Sequence, residues 1–289
     1  HGNSSVVADR VALKLVDAVC TEAGFGADMG AQKFFDIKCR LSGLRPAAAV
    51  VVATLRALKM HGGVGHVVAG RPLDPALGRE DPEAVRRGAA NLAKQIENVR
   101  AYGVPCVVAL NAFPEDRPSE IAAVAEVAAA SGARGTVVSS HFSDGGAGAE
   151  ELARAVWSVA QEDAPDFRLL FPDELPLAAK IERIATAVYG ADGVDLSPLA
   201  QEQLGDIERL GYGHLPICMA KTHLSLSHDP ELKGRPSGFR VPVREARLFA
   251  GAGFVTAYCG DMRTMPGLPT TPGGERIDID AEGRVVGLF

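Results

Sequence analysis

Between Thr21 and Gly30 the chain gathers two carboxylates, Glu22 and Asp28, one aromatic ring, Phe25, and three glycines, Gly24, Gly26 and Gly30. Carboxylates so placed could orient an amine, a water molecule or magnesium, and glycines let the backbone approach a ligand or take a positive φ. The pattern Gly-x-Gly-x-x-x-Gly serves equally as a tight structural turn, and its spacing alone leaves both readings open. The stretch follows an apolar run, Val11 to Cys20, and is expected at a strand end, where α/β proteins hold their ligands.

Two further loops carry rings among polar neighbours: Phe113 and Pro114 in Asn111 to Asp116, and Phe142 in Ser140 to Gly148. A pair of ring faces could grip a flat heteroaromatic ligand; packing into the core is the other reading. Lys221, Thr222, Ser225, Ser227 and Arg235 follow a strand-like segment and could bind phosphate or carboxylate, or form a solvated loop. Arg56 and Lys59 could face an anion or simply open a helix. The seven histidines contain no His-x-x-x-His pair, and His61 and His66 read as loop residues, so no metal site is expected.

Composition sets the bounds. With 289 residues the chain can build about two domains, and 47% hydrophobic with 23% charged residues describes a globular protein. A formal charge of −6 argues against a general nucleic-acid binder. Cys20, Cys39, Cys106, Cys218 and Cys259 lie far apart, without zinc or disulfide spacing, which suits a reduced, cytoplasmic compartment. No signal pattern and no membrane-spanning apolar run is present. The chain opens without Met on His1-Gly2-Asn3-Ser4-Ser5 and is read as a fragment.

The elements that must position these residues follow from periodicity. Ser5 to Leu15 suits a helix or a buried strand, and Ala47 to Leu55 a strand buried on both faces. Val64 to Arg79 is a loop. Asp81 caps a helix whose first residue is Pro82 and whose apolar positions Val85, Leu92, Ile96 and Val99 repeat toward Gly103. A strand from Val104 to Leu110, an Ala/Val helix opened by Ser119, a strand at Thr136 to Ser139 and a helix from Glu150 to Gln161 follow. Helices at Leu175 to Val188 and after Ser197, and strands at Leu215 to Met219, Phe254 to Cys259 and Ile277 to Asp280, complete the chain. Alternation of this kind predicts a parallel sheet and an α/β fold.

His1 to Ser5, the Thr21 to Gly30 loop, Phe34-Phe35-Asp36-Ile37-Lys38-Cys39-Arg40, Val52 to Gly63, Met265-Pro266-Gly267-Leu268-Pro269 and the closing Gly287-Leu288-Phe289 together resemble the formate–tetrahydrofolate ligases. That resemblance implies the remainder of a P-loop NTPase-like parallel-sheet domain over residues 1–80, an α/β folate-binding domain over 81–190 and a C-terminal α/β domain over 191–289. It implies ATP with magnesium and tetrahydrofolate as substrates, formyl phosphate as intermediate, a monovalent cation, and a homotetrameric full-length protein without nucleic-acid or membrane partners. No Gly-x-x-x-x-Gly-Lys-Ser/Thr occurs, so the ATP loop is expected upstream and the chain alone is expected to be inactive.

By the same resemblance, Gly24, Phe25 and Gly26 wall the formyl phosphate, with Glu22 and Asp28 as catalytic carboxylates. Phe113, Pro114 and Phe142 grip the pterin, Phe142 standing where relatives usually carry Trp. The turn Lys233-Gly234-Arg235-Pro236 resembles a family segment near the adenine, and Lys221 and Thr222, by residue type after a strand, are further nucleotide-binding candidates. A non-catalytic folate-binding relative, or the ligase part of a multifunctional C1-tetrahydrofolate synthase, are the alternatives.

Overall fold

A computed structural model describes residues 5–65, 67, 72–162, 165–260 and 271–287. Helix α1 (Val6–Ala12) is capped by Ser5 and tied down by a buried Asp9–Lys38 ion pair at 2.5 Å. Among the described residues no strand precedes the Thr21 to Gly30 loop, contrary to the expectation. Residues beyond α1 are exposed coil, and the loop leads into two π-helical stretches, Ala27–Ala31 and Phe34–Cys39, closed by the single turn α2 (Arg40–Ser42). A run of apolar residues without alternation cannot tell strand from other structure, and this one stays unpaired.

The first sheet is fully parallel, in the order β1 (Ala49–Ala53), β2 (Cys106–Asn111), β3 (Thr136–Ser139). Ala49 pairs with Cys106 and Asn111 with Ser139. Between β1 and β2 run α3 (Leu55–His61), capped by Thr54, and α4 (Pro82–Ala101), capped by the Asp81 carboxylate accepting from the Ala84 N–H at 2.8 Å. Gly88 lets these helices cross closely, because a Cβ there would stand 1.8 Å from the Leu58 carbonyl oxygen. Helix α5 (Pro118–Ala130) starts from Arg117 rather than Ser119, and its first turn is held by Glu120, which accepts the Arg117 and Asp81 N–H groups. Glu120 also ion-pairs with Lys59 at 2.6 Å, both fully buried, so the anion that Lys59 faces is a carboxylate of α5 and the pair joins α3 to α5.

After β3 come the turn α6 (His141–Asp144) and α7 (Glu150–Glu162), which packs on β2 and β3. The face of β1 carrying Val50 and Val52 stays 41% and 60% exposed. Val85, Leu92, Ile96, Val99, Val108 and Leu110 belong to the first core.

A second core runs from Phe171 to Cys259. It is built by α8 (Leu177–Ile184), extended as a π turn to Tyr189, by β4 (Val194–Leu196) and by α9 (Pro198–Arg209), capped by Ser197. Strand β5 (Ile217–Ala220), β6 (Val241–Val243), β7 (Glu245–Phe249) and β8 (Phe254–Tyr258) complete it. β4 pairs parallel with β6, and β8 lies between parallel β5 and antiparallel β7. A small hairpin, β9 (Asp278–Ile279) with β10 (Val285–Val286), ends the described chain.

Residue 80 lies between β1 and β2, which pair from Ala49 with Cys106 to Ala53 with Leu110, and residue 190 lies within the span of the second core. Within the range expected as a loop, Pro75–Gly78 forms a 3₁₀ turn capped by Asp74, on the strand-to-strand crossover that a parallel pair needs. His66 and the Met265 to Pro269 stretch lie outside the described residues.

Candidate functional site

Asp28 is buried at the base of the loop, and its carboxylate is fully engaged. One oxygen meets the Lys221 ammonium at 2.8 Å, and the other accepts from the Gln95 amide at 2.9 Å. The Asp28 N–H returns a bond to the Gln95 carbonyl at 2.9 Å. Gly30 is required here because a Cβ would lie 2.0 Å from the Gly24 carbonyl oxygen, and a Cβ on Gly26 would lie 2.4 Å from Asp28 Oδ1. Above this base Phe25 takes φ 64°, the only described non-glycine residue at positive φ, and stands 68% exposed. Its ring tilts over His223 at a centroid distance of 5.0 Å, at the carboxyl end of β5. Glu22 and Gly24 lie on the open side, Glu22 exposed.

Asp28 therefore acts from inside. Both of its oxygens are committed within the protein, and among the described residues no three His, Cys, Asp or Glu side chains come close enough to hold a metal ion. Lys221 is likewise completely buried and directs its ammonium to Asp28, to the Thr222 carbonyl at 3.0 Å and to the Ser225 carbonyl at 2.6 Å. An ammonium has three N–H groups, so none remains for a phosphate. Ser225 and Ser227 are also turned inward and bond one another at 2.9 Å.

The two other rings stand at the carboxyl ends of neighbouring strands. Phe113 lies two residues past β2, half-buried, with the Arg56 guanidinium stacked at 3.9 Å from its centroid. Arg56 in turn pairs with Glu115 at 2.7 Å. Phe142 lies three residues past β3 and is 63% exposed. Pro114 is exposed beside them. His141, next to Phe142, shares a 2.9 Å hydrogen bond with buried Ser139. Neither Phe113, Phe142 nor Phe25 belongs to a core cluster.

The turn at Gly234-Arg235-Pro236 docks on α3 and α4. The Gly234 N–H donates to His61 Nδ1 at 3.0 Å, the Gly234 carbonyl accepts from Asn91 at 2.8 Å, and Arg235 makes a two-pronged pair with Glu97 at 2.7 and 2.8 Å. Burial, helped by Lys233, lowers the His61 pKa, which suits its role as an acceptor. Thr222 is half-buried, its hydroxyl accepting from the Leu224 N–H at 3.2 Å.

Sequence reasoning missed Gln95, Asn91 and Glu97. All three project from α4, and the signal was available: with buried Lys94 and Asn98 they interrupt a helix whose remaining buried positions are apolar or glycine. Lys33, also missed, is a buried amine whose pKa burial depresses, with the Met29 carbonyl at 3.4 Å as its hydrogen-bond partner among the described residues.

Fold and site together define an α/β protein whose first sheet is parallel and carries loops at the carboxyl ends of its strands. The chain belongs to the formate–tetrahydrofolate ligase family, whose description it matches over residues 1–289. It is 59% identical over 288 residues to a formate–tetrahydrofolate ligase of Saccharopolyspora erythraea, aligning 100% of this chain with 51% of that protein. Comparable enzymes of Cutibacterium acnes and Chloroflexus aurantiacus are 56% and 55% identical over the full chain, again covering 51% of each. The chain spans about half the length of these curated relatives.

Proposed function

We propose that this chain is part of an ATP-dependent ligase that joins formate to tetrahydrofolate, giving 10-formyltetrahydrofolate through formyl phosphate. The observation that carries the reading is the placement of Phe113 and Phe142 at adjacent strand ends, outside both cores, in a member of this family. Phe113, with Pro114 on its flank, takes one face of the pterin and Phe142 the other. Arg56 behind Phe113 fixes that ring and leaves its opposite face for the ligand.

In the reaction the folate amine attacks the formyl carbon, the carbon–phosphate oxygen bond breaks, and inorganic phosphate leaves as the amine loses its proton. This chain contributes position and exclusion of water, which protect a labile anhydride. Gly24, Phe25 and Gly26 wall the formyl phosphate from the β5 side. Glu22 is the carboxylate free to orient the amine, while Asp28 and Lys221 hold the loop from below. Thr222 and the Gly234 to Pro236 turn border the nucleotide. Magnesium and a monovalent cation belong to the proposed enzyme, magnesium serving with ATP.

Isothermal titration with tetrahydrofolate and with ATP, on this chain and on a family-length protein, tests the reading. Folate binding to both with ATP binding to the longer protein is expected. Folate binding without ATP binding in either would make it a folate-binding relative without turnover.

A further inference from the structure

The segment from Asp28 to Asp36 and helix α4 face each other through a ladder of polar side chains. Asp28 bonds Gln95 twice, at 2.9 Å each way, and Asp36 accepts from the Tyr102 hydroxyl at 2.7 Å. Between these rungs lie Gln32, which shares the four-residue spacing of Asp28 and Asp36, and Asn98, which lies between Gln95 and Tyr102 on α4. The seven-residue separation on α4 spans about 10 Å, so the middle rung falls within the same seam.

Across the middle rung Gln32 and Asn98 share no bond, although the Gln32 amide N–H donates to Asp36 at 2.8 Å. Among the described residues Gln32 Oε1, both polar atoms of Asn98 and the Tyr189 hydroxyl have no hydrogen-bond partner. The three residues are 0%, 2% and 1% exposed. Tyr189 belongs to this seam: its ring lies 4.8 Å from the Lys221 ammonium, and its phenol senses the charges of Asp28 and Asp36. Buried polar groups are almost always paired, and a separation beyond direct bonding distance points to a bridging molecule.

We infer that the seam between residues 28–36 and α4 is a binding site for one or two internal water molecules, held by Gln32, Asn98 and Tyr189. The chemistry favours water over a cation. Asn98 offers an N–H donor and Tyr189 an O–H donor, which a cation repels and a water accepts. The nearby carboxylates face cations of the chain, Asp28 with Lys221 at 2.8 Å and Asp36 with Arg40 at 3.9 Å, although Asp36 Oδ1 accepts no hydrogen bond among the described residues. A water gives two hydrogens to Gln32 Oε1 and Asn98 Oδ1 and accepts from Tyr189, the three-bond pattern usual for buried water. The consequence is mechanical: the rungs at Asp28 and Asp36 lock the two segments while the water fills the space between them.

High-resolution crystallography of the 289-residue chain, grown with rubidium in place of potassium, tests the site. Expected is solvent density within hydrogen-bond distance of Gln32, Asn98 and Tyr189 without anomalous signal. An anomalous peak there, or side chains bonding each other directly, would overturn it. Denaturant unfolding of Gln32→Leu, Asn98→Leu and the double variant gives a second arm. With a shared water, each single substitution strands polar partners and shifts the folding equilibrium by roughly tenfold, while the double variant is no worse than the poorer single. Simple additivity of the two singles would refute a shared occupant.

Discussion

Asp28 and Lys221 form a buried ion pair at 2.8 Å that joins the base of the Phe25 loop to the end of β5. Lys221 also lies 4.8 Å from the Tyr189 ring, so loop, strand and second core meet at one ammonium. Removing one member leaves the other charge stranded. Lys221→Met is expected to cost about 3–5 kcal/mol, read as a lower urea midpoint, and Asp28→Asn in the same chain to recover much of it. An unchanged midpoint for Lys221→Met would show that the pair is not desolvated.

Ring stacking at the strand ends separates ligand affinities. Phe113→Ala is expected to weaken tetrahydrofolate binding roughly tenfold in a family-length protein and to leave ATP binding within about twofold. Phe142→Trp is expected to keep or tighten folate binding. Equal losses for both ligands in Phe113→Ala, measured by titration calorimetry, would remove the stacking role.

Asp36 gives stability a pH dependence. Burial raises its pKa from the ordinary 3.8 to about 6, opposed by hydrogen bonds from Gln32 and Tyr102 and by the Arg40 charge. The folded chain therefore retains a proton that the unfolded chain releases between these values. The stabilisation is full below about pH 4 and is lost as pH rises through 6, a change of about 3 kcal/mol. Denaturant midpoints measured from pH 4 to 7.5 are expected to show a decline that Asp36→Asn flattens.

Two glycines of the same loop separate a steric requirement from mere composition. Gly30→Ala puts a methyl 2.0 Å from the Gly24 carbonyl oxygen and is expected to cost about 1–3 kcal/mol. Gly24→Ala meets nothing within 4 Å and is expected to stay within about 0.5 kcal/mol. Thermal unfolding of the pair decides it; equal costs would mean that the loop packs differently.

The face of β1 bearing Val50 and Val52 is apolar, exposed and on the sheet's edge. Such edges pair with other chains. Val52→Lys is expected to reduce light scattering of the isolated chain without changing its unfolding midpoint. Unchanged scattering would mean that association, if any, uses another surface.

Much of the scaffold was legible because its signals are local. Asp81 before Pro82, Ser197 before Pro198 and the unbroken Ala49 to Ala53 run each declare an element within a few residues, since caps and β-branched runs act on neighbouring backbone. The strand-end placement of Phe113 and Phe142 follows from the same alternation. Resemblance supplied the family, now matched along the whole chain.

What the tertiary structure alone decided is which polar groups are spent. Asp28 and Lys221 read as free chemistry in the sequence, as did Lys59, yet each is buried against a partner distant in the chain. The Val11 to Cys20 run reads as the approach to a strand but pairs with nothing, while α4 supplies the clamp on Asp28 through Gln95. Burial and long-range pairing depend on how helices and sheets meet, and the water-excluded interior sets the cost of leaving a charge alone. Neither property is written in the spacing of one segment.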